Sequence, residues 1–238
     1  MFLMPPARVR AIILKRINFR ETSVIINLLT DSIGKISGLM KGVRTSAKKV
    51  PPLAYQQGVC IEALVYLKHK GGLELVTKPE VIESFNFQGE NANFWKKLIL
   101  QVDRFIPPSR FNSNQIFNLL FEAGKIIPEL KDHRTLEIVV TERILFLLGV
   151  GPFLEKCLIC GANKNLYFFS GNLGGLVCSK CQAREHTSFK LPQKHIEALR
   201  FFHKIPIAQV PMVKYIPEGL YLNLTKCINE IVRYHITD

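Results

Sequence analysis

Two Cys-x-x-Cys pairs stand in the stretch CLICGANKNLYFFSGNLGGLVCSKC, Cys157 with Cys160 and Cys178 with Cys181, separated by seventeen residues. Two residues between thiolates let a tight turn bring both sulfurs to one edge of a tetrahedron, while backbone N–H groups offset their negative charge. The interval between the pairs suits a four-Cys zinc site. LYFFSGNLGGLVC reads as two short strands around Gly171 to Gly175, so the expected arrangement is a zinc ribbon. Four thiolates leave no coordination position for water, which makes the expected zinc, one per chain, structural rather than catalytic. A disulfide pair needs an oxidising compartment, a redox dithiol needs only one such motif at a helix start, and iron–sulfur ligands group more closely. Cys60 and Cys227 stand singly among apolar neighbours and read as packing residues. His186, beside the cluster, reads as a surface residue. No phosphate-binding glycine loop, nucleophile elbow or Ser, His and Asp pattern occurs, so no enzyme activity is expected.

A second group able to do chemistry is cationic. KISGLMKGVRTSAKK places Lys35, Lys41, Arg44, Lys48 and Lys49 among Gly38, Gly42, Thr45 and Ser46. Cations neutralise phosphates, hydroxyls bond their oxygens, and glycines let the backbone approach closely. Residues 1–80 carry 13 basic and 5 acidic groups, whereas residues 81–150 carry eight of each. A surface built only for solubility spreads its charge, so this skew points to a localised anion-binding face. Arg8, Arg10, Lys15 and Arg16 add weaker candidates, with Phe19 and Tyr55 as aromatic neighbours. The Cys-rich region carries a smaller basic set, Lys156, Lys164, Lys180 and Arg184.

The elements that must position these groups change character along the chain. VRAIILKRINF (9–19), SVIINLLT (23–30), KISGLMKG (35–42), GVCIEALVYL (58–67) and LELVTKPEVI (73–82) predict five strands within about eighty residues. Without room for a long helix, they imply a small closed barrel of the OB or SH3-like kind. Beyond residue 85 the apolar period becomes helical. Helices are expected over 92–106, over 114–127 with Ser113 as cap, and from Asp132 to Leu148, stopped by Gly149 and Gly151. Pro192 and Pro217 start two more, reaching Lys204 and His235.

The expected division is a barrel over 1–82, a helical domain over 83–152 and 187–238, and a ribbon inserted over 153–186. The fold class is α+β. A net charge of +13 and a pI near 9.6 favour a polyanionic partner, nucleic acid before a membrane surface. No apolar run approaches the length of a membrane span, and two prolines interrupt the start MFLMPPARVR, so a soluble cytosolic chain is expected.

RETSVIINLLTDSIGKISGLMKGVR (20–44) carries Glu21-Thr22, Thr30, Gly34 and Lys41-Gly42-x-Arg44 in order. With PLAYQQG (52–58), LLGVGP (147–152) and the Cys cluster, the chain resembles, over nearly its whole length, the bacterial recombination mediator family RecO. IPIAQVPMVKYIPEGLYLNLTKC (205–227) departs from that family's ending.

The resemblance implies an N-terminal OB-fold, a helical domain interrupted by the zinc ribbon, and no catalysis. It implies binding of single- and double-stranded DNA, annealing of strands coated with single-strand-binding protein, and loading of RecA at gaps together with RecR. Phosphate contacts then fall to Lys35, Lys41, Arg44, Lys48 and Lys49, with Arg8, Arg10, Lys15 and Arg16 beside them. An acidic tail of single-strand-binding protein needs an apolar pocket rimmed by cations, for which Lys125, Arg134 and Arg143 are the candidates. The implied location is the cytoplasm, at the nucleoid. An RNA-binding accessory factor is the alternative from the residues alone, since barrel and ribbon suit RNA equally.

Overall fold

The apolar runs of the first eighty residues form β1 (Ala7–Phe19), β2 (Ser23–Thr30), β3 (Lys35–Met40), β4 (Cys60–Tyr66) and β5 (Glu74–Glu83). They close into a barrel of order β1-β2-β3-β5-β4, with β3 and β5 parallel and the other pairs antiparallel. This is the OB-type arrangement. The structure is a computed structural model and describes residues 5–45, 50–68, 72–108, 112–213 and 215–236. Two compact units divide it, Met1–Pro128 and Glu129–Asp238.

In the first unit, β1 sets the plan. Val9, Ala11 and Ile13 point into the barrel with Val24, Ile26, Leu28, Ile61 and Ala63. Ile12 and Leu14, on the outside, are nevertheless fully buried. Their cover comes from two helices, α1 (Gly89–Phe105) and α2 (Ser113–Ile126), which pack against β1 and β2. Each aliphatic side chain so buried contributes about 1.5–3 kcal/mol. The ladder to β2 slips between Ile13 and Lys15, leaving Leu14 as a bulge whose carbonyl accepts a hydrogen bond from Gln57 Nε2 at 2.8 Å. Ser113, expected as a cap, instead lies buried at the first position of α2. Asn112 precedes it at φ 51° and makes no side-chain capping bond, so the left-handed turn delivers Ser113 into the core rather than the cap.

The second unit contains α3 (Arg134–Leu147), α4 (Gln193–Lys204), α5 (Glu218–His235) and a three-stranded sheet of order β7-β6-β8, with β6 at Leu166–Ser170, β7 at Gly175–Cys178 and β8 at Phe189–Lys190. Asp132 does serve α3, one residue before the cap position: its Oδ1 accepts the Arg134 N–H at 3.0 Å. α5 packs on α3, α4 and β6.

Gly58 joins barrel and α1. Its φ is +83°, and a Cβ there would lie 2.5 Å from Trp95 Nε1, which donates to the Gly58 carbonyl at 3.2 Å. Gly58→Ala therefore combines left-handed strain with a clash against the single tryptophan. It should destabilise the first unit by about 2–3 kcal/mol, measured by denaturant unfolding, and shift tryptophan emission to longer wavelength.

A candidate nucleic-acid interface and metal centre

The four cysteine sulfurs lie within 4.8 Å of one another. Cys157 and Cys160 occupy a turn before β6, Cys178 ends β7, and Cys181 follows after one further turn. A backbone bond closes each turn: the Gly161 N–H donates to Cys157 O at 2.9 Å, and the Cys181 N–H to Cys178 O at 3.0 Å. Gly161 has φ +75°, a conformation that a side chain would strain.

Cys160 Sγ and Cys178 Sγ are 3.7 Å apart. Tetrahedral coordination at a metal–sulfur distance of about 2.3 Å requires sulfurs about 3.8 Å apart, so the donor set fits a closed thiolate site. Burial pushes the Cys157 thiol up, but the backbone N–H groups of Cys178, Cys160 and Ile159 outweigh it and bring its pKa down to about 6. Cys181 is pushed up to about 12 by burial and by hydrogen bonds with its three sulfur neighbours. Four sulfurs this close repel one another as thiolates unless a cation stands at their centre. Cys60, by contrast, is pushed up to about 12 by burial, and burial likewise raises Cys227. Both are apolar packing groups.

The cationic candidates separate along the barrel. At one end, Arg8 pairs with Glu62 across β1 and β4, and Arg10 Nε lies 3.2 Å from Asp31 Oδ2 while its guanidinium covers Phe117 at 5.2 Å. These charges are largely met within the protein. Lys35 is half-buried: its ammonium contacts the Asp103 carboxylate at 2.9 Å, the Asp103 carbonyl, and the Ile106 carbonyl at 3.0 Å. It thus satisfies the C-terminal end of α1, where a cation also suits the helix dipole.

Toward the opposite end, the register sets Arg16 on β1 two pairs short of the Val24–Met40 pair that Lys41 follows, with Lys15 one residue earlier and Arg44 just beyond β3. The Arg44 N–H donates to Thr22 O at 2.9 Å and its Nη1 to Arg20 O at 3.2 Å. These bonds lay the segment after β3 against the β1–β2 turn. Arg16 bonds Asn18 Oδ1 at 3.0 Å and covers Tyr55 at 5.1 Å. Tyr55 is only 6% exposed, so its ring supports Arg16 rather than an incoming base.

Arg20 is the residue that sequence reasoning passed over. It sits at φ 52° in the β1–β2 turn with its guanidinium 5.2 Å from the Phe19 ring. Its signal was a basic residue at a hairpin tip, more than twenty positions before the segment it joins. Glu21 is the acidic neighbour in that turn. Lys48 and Lys49 lie outside the described residues.

The three helical candidates are placed singly. Lys125 pairs with Glu122 at 3.1 Å and covers Phe121 in the first unit. In the second unit, Arg134 is bound by Asp132 at 2.6 Å and flanked by Tyr215 and Tyr221. Arg143 donates to the Ile205 carbonyl just past α4, and burial lowers its pKa against the pull of Glu142.

Comparison with known proteins agrees with this anatomy. Residues 4–85 match the family model "Recombination protein O N terminal", and residues 102–238 match "Recombination protein O C terminal". The chain is 22% identical over 246 residues to the DNA repair protein RecO of Listeria monocytogenes serotype 4b, covering 94% of each chain. It is 27% identical over 204 residues to that of Thermoanaerobacter sp., covering 83% of this chain and 79% of the other. To the Bacillus pumilus protein of that name it is 22% identical over 243 residues, covering 92% of each.

Lys35→Ala should lower the unfolding free energy of the first unit by about 2 kcal/mol, because it strands the Asp103 carboxylate and two helix-end carbonyls. In a double-mutant cycle with Asp103→Ala, the combined loss should fall short of the sum of the single losses.

Proposed function

The chain belongs to the RecO family of DNA repair proteins, and on that premise we propose that it is a DNA-binding recombination mediator. It binds single- and double-stranded DNA, anneals strands coated with single-strand-binding protein and, with RecR, helps load RecA at gaps. The observation that carries the reading is the convergence of Arg16, Arg20, Lys41 and Arg44 at one end of the OB-type barrel. Arg16 and Arg44 bond neutral oxygens there and Arg20 lies on an aromatic ring; among the described residues these three arginines are paired with no carboxylate, which supports an anion as their partner. Lys15 and, from the run of charge in the sequence alone, Lys48 and Lys49 are further candidates for phosphate, while Arg8 and Arg10, paired with Glu62 and Asp31, are weaker ones. Contacts go to phosphate and not to base edges, so binding is indifferent to sequence.

In the second unit the four cysteines hold one zinc ion, which ties the two turns of the ribbon together and leaves no position for a reacting ligand. Their turn geometry and sulfur spacing support this assignment. Lys125, Arg134 and Arg143 remain the candidates for contact with the acidic tail of single-strand-binding protein. Because Arg134 and Arg143 already bind partners within the protein, such contact would require them to exchange those bonds. The location proposed for it is the cytoplasm, on nucleoid DNA, a reading that the family's role in repair supports. Among the described residues, no helix is long and apolar enough to cross a membrane.

Each phosphate neutralised on a single strand contributes about 0.7 to the slope of log affinity against log salt. Replacing Arg16, Arg20, Lys41 and Arg44 with Ala should flatten that slope by roughly 3 and slow annealing of coated strands, with little dependence on oligonucleotide sequence. An unchanged slope overturns the site. Tighter binding to a matched RNA than to DNA, without annealing of coated strands, would replace the repair reading by an RNA-binding one.

For the metal, purified protein should contain one equivalent of zinc. Cys178→Ser should lose it and unfold the ribbon, seen as increased amide exchange over residues 153–186. A metal-free wild type or an unchanged Cys178→Ser exchange pattern counts against the assignment.

A further inference from the structure

We infer that the ribbon carries a second single-strand contact, separate from the barrel and built around the cysteine turns. The inference rests on the DNA-binding reading and adds a site to it. Lys156 immediately precedes Cys157, and Lys180 lies inside the second cysteine turn. The Asn165 carbonyl accepts the Ser179 N–H at 3.0 Å, which sets Lys164 beside that turn. The Arg184 N–H bonds the Cys181 carbonyl at 2.9 Å. All four basic residues are exposed, and among the described residues none is paired with a carboxylate. The region has two acids: Glu155 is exposed, whereas Glu185 is buried and accepts the hydroxyl hydrogen of Thr187. The result is an excess of positive charge around one end of a small rigid body.

Charge alone would suit any polyanion, but exposed apolar groups stand within it. Leu158 and Ile159, at 37% and 36% exposure, form the tip of the first cysteine turn. Tyr167, one residue past the Leu166–Cys178 pair of the sheet, is 41% exposed. A ring or an aliphatic turn tip gains contact only with a base that is free of its stack, while the surrounding cations follow the phosphates. A duplex offers its phosphates but keeps its base faces covered. The ligand selected by this combination is therefore an unpaired strand, and its attachment is independent of base identity because every base has a π-face.

The full-length protein with labelled oligothymidylate provides the test, alongside a matched duplex and phosphatidylglycerol vesicles. Replacing Lys156, Lys164, Lys180 and Arg184 with Ala should flatten the single-strand salt slope by roughly 3 while metal content stays at the wild-type level. Tyr167→Ala should weaken single-strand binding several-fold without changing that slope or duplex affinity. An unchanged slope in the quadruple variant overturns the site, as does an equal effect of Tyr167→Ala on strand and duplex. Loss of vesicle adherence with full strand affinity would identify the face as a membrane contact instead. The barrel variant, run in parallel, separates the two sites. If only it loses slope, the ribbon inference fails and the barrel reading stands; if only the ribbon variant loses slope, the reverse holds.

Discussion

The first unit depends on the burial of β1 from both sides between Ala11 and Leu14, four consecutive residues without solvent exposure. A strand in a small barrel ordinarily has one wet face, and alternation then tells inside from outside. Here Ala11 and Ile13 fill the barrel while Ile12 and Leu14 need a second cover. Helices α1 and α2 provide it, and the division of the chain after Pro128 follows from that requirement. Barrel and first two helices share an apolar layer that neither could leave exposed without losing several kcal/mol. Lys35 and Trp95 fasten the same layer with polar bonds at its margins.

The bulge at Leu14 ends this regime. Beyond it, β1 continues as Lys15 to Phe19, exposed or partly so. Charge can accumulate there because the side chains reach solvent, Ile17 among them at 48% exposure. The bonds from Arg44 to the β1–β2 turn then bring cations from the first and third strands to one place. Burial at one end and a basic face at the other are thus two consequences of the same strand, separated by a single register shift. Arg8 and Arg10, near its start, are close enough to Glu62 and Asp31 to be neutralised.

How much of this was legible in the sequence depends on the range of the interaction. The five strands and the cysteine turns are local patterns, with period and spacing fixed by neighbouring residues. The closed five-stranded barrel and the cysteine cluster accordingly emerged as the sequence suggested. Lys35 was legible as a charge but not as an anchor, since its partners lie 68 and 71 positions away at the end of α1. Arg143 is similar: its spacing marks a helix surface, whereas its carbonyl partner is 62 positions distant. Arg20 failed for the opposite reason. It is local to a hairpin turn, but its importance comes from Arg44, which reaches it only after β3 has returned along β2. The two-residue β8 gives no periodic signal at all and exists because β6 offers it an edge.

The ribbon raises a different question of stability, because a sheet of three short strands cannot bury enough apolar surface to hold itself. The sulfur cluster fixes one end of it. At the other end α5 takes over: His235 Nε2 lies 2.9 Å from the Gly171 carbonyl in the β6–β7 turn, and Lys226 covers the Phe189 ring at 4.1 Å. The segment in which the chain departs from the familiar family ending therefore leads into a helix with a definite seat. Since that seat is formed by the turn between β6 and β7, and Cys178 ends β7, the order of the cysteine turns and the docking of α5 are linked through this hairpin. Release of the sulfurs from a common centre would loosen the strand that receives the helix, and the helix in turn limits how far the free hairpin can stray. The ribbon is in this sense held from two sides, by the sulfur cluster at one end and by packing at the other, with an apolar core too small to replace either.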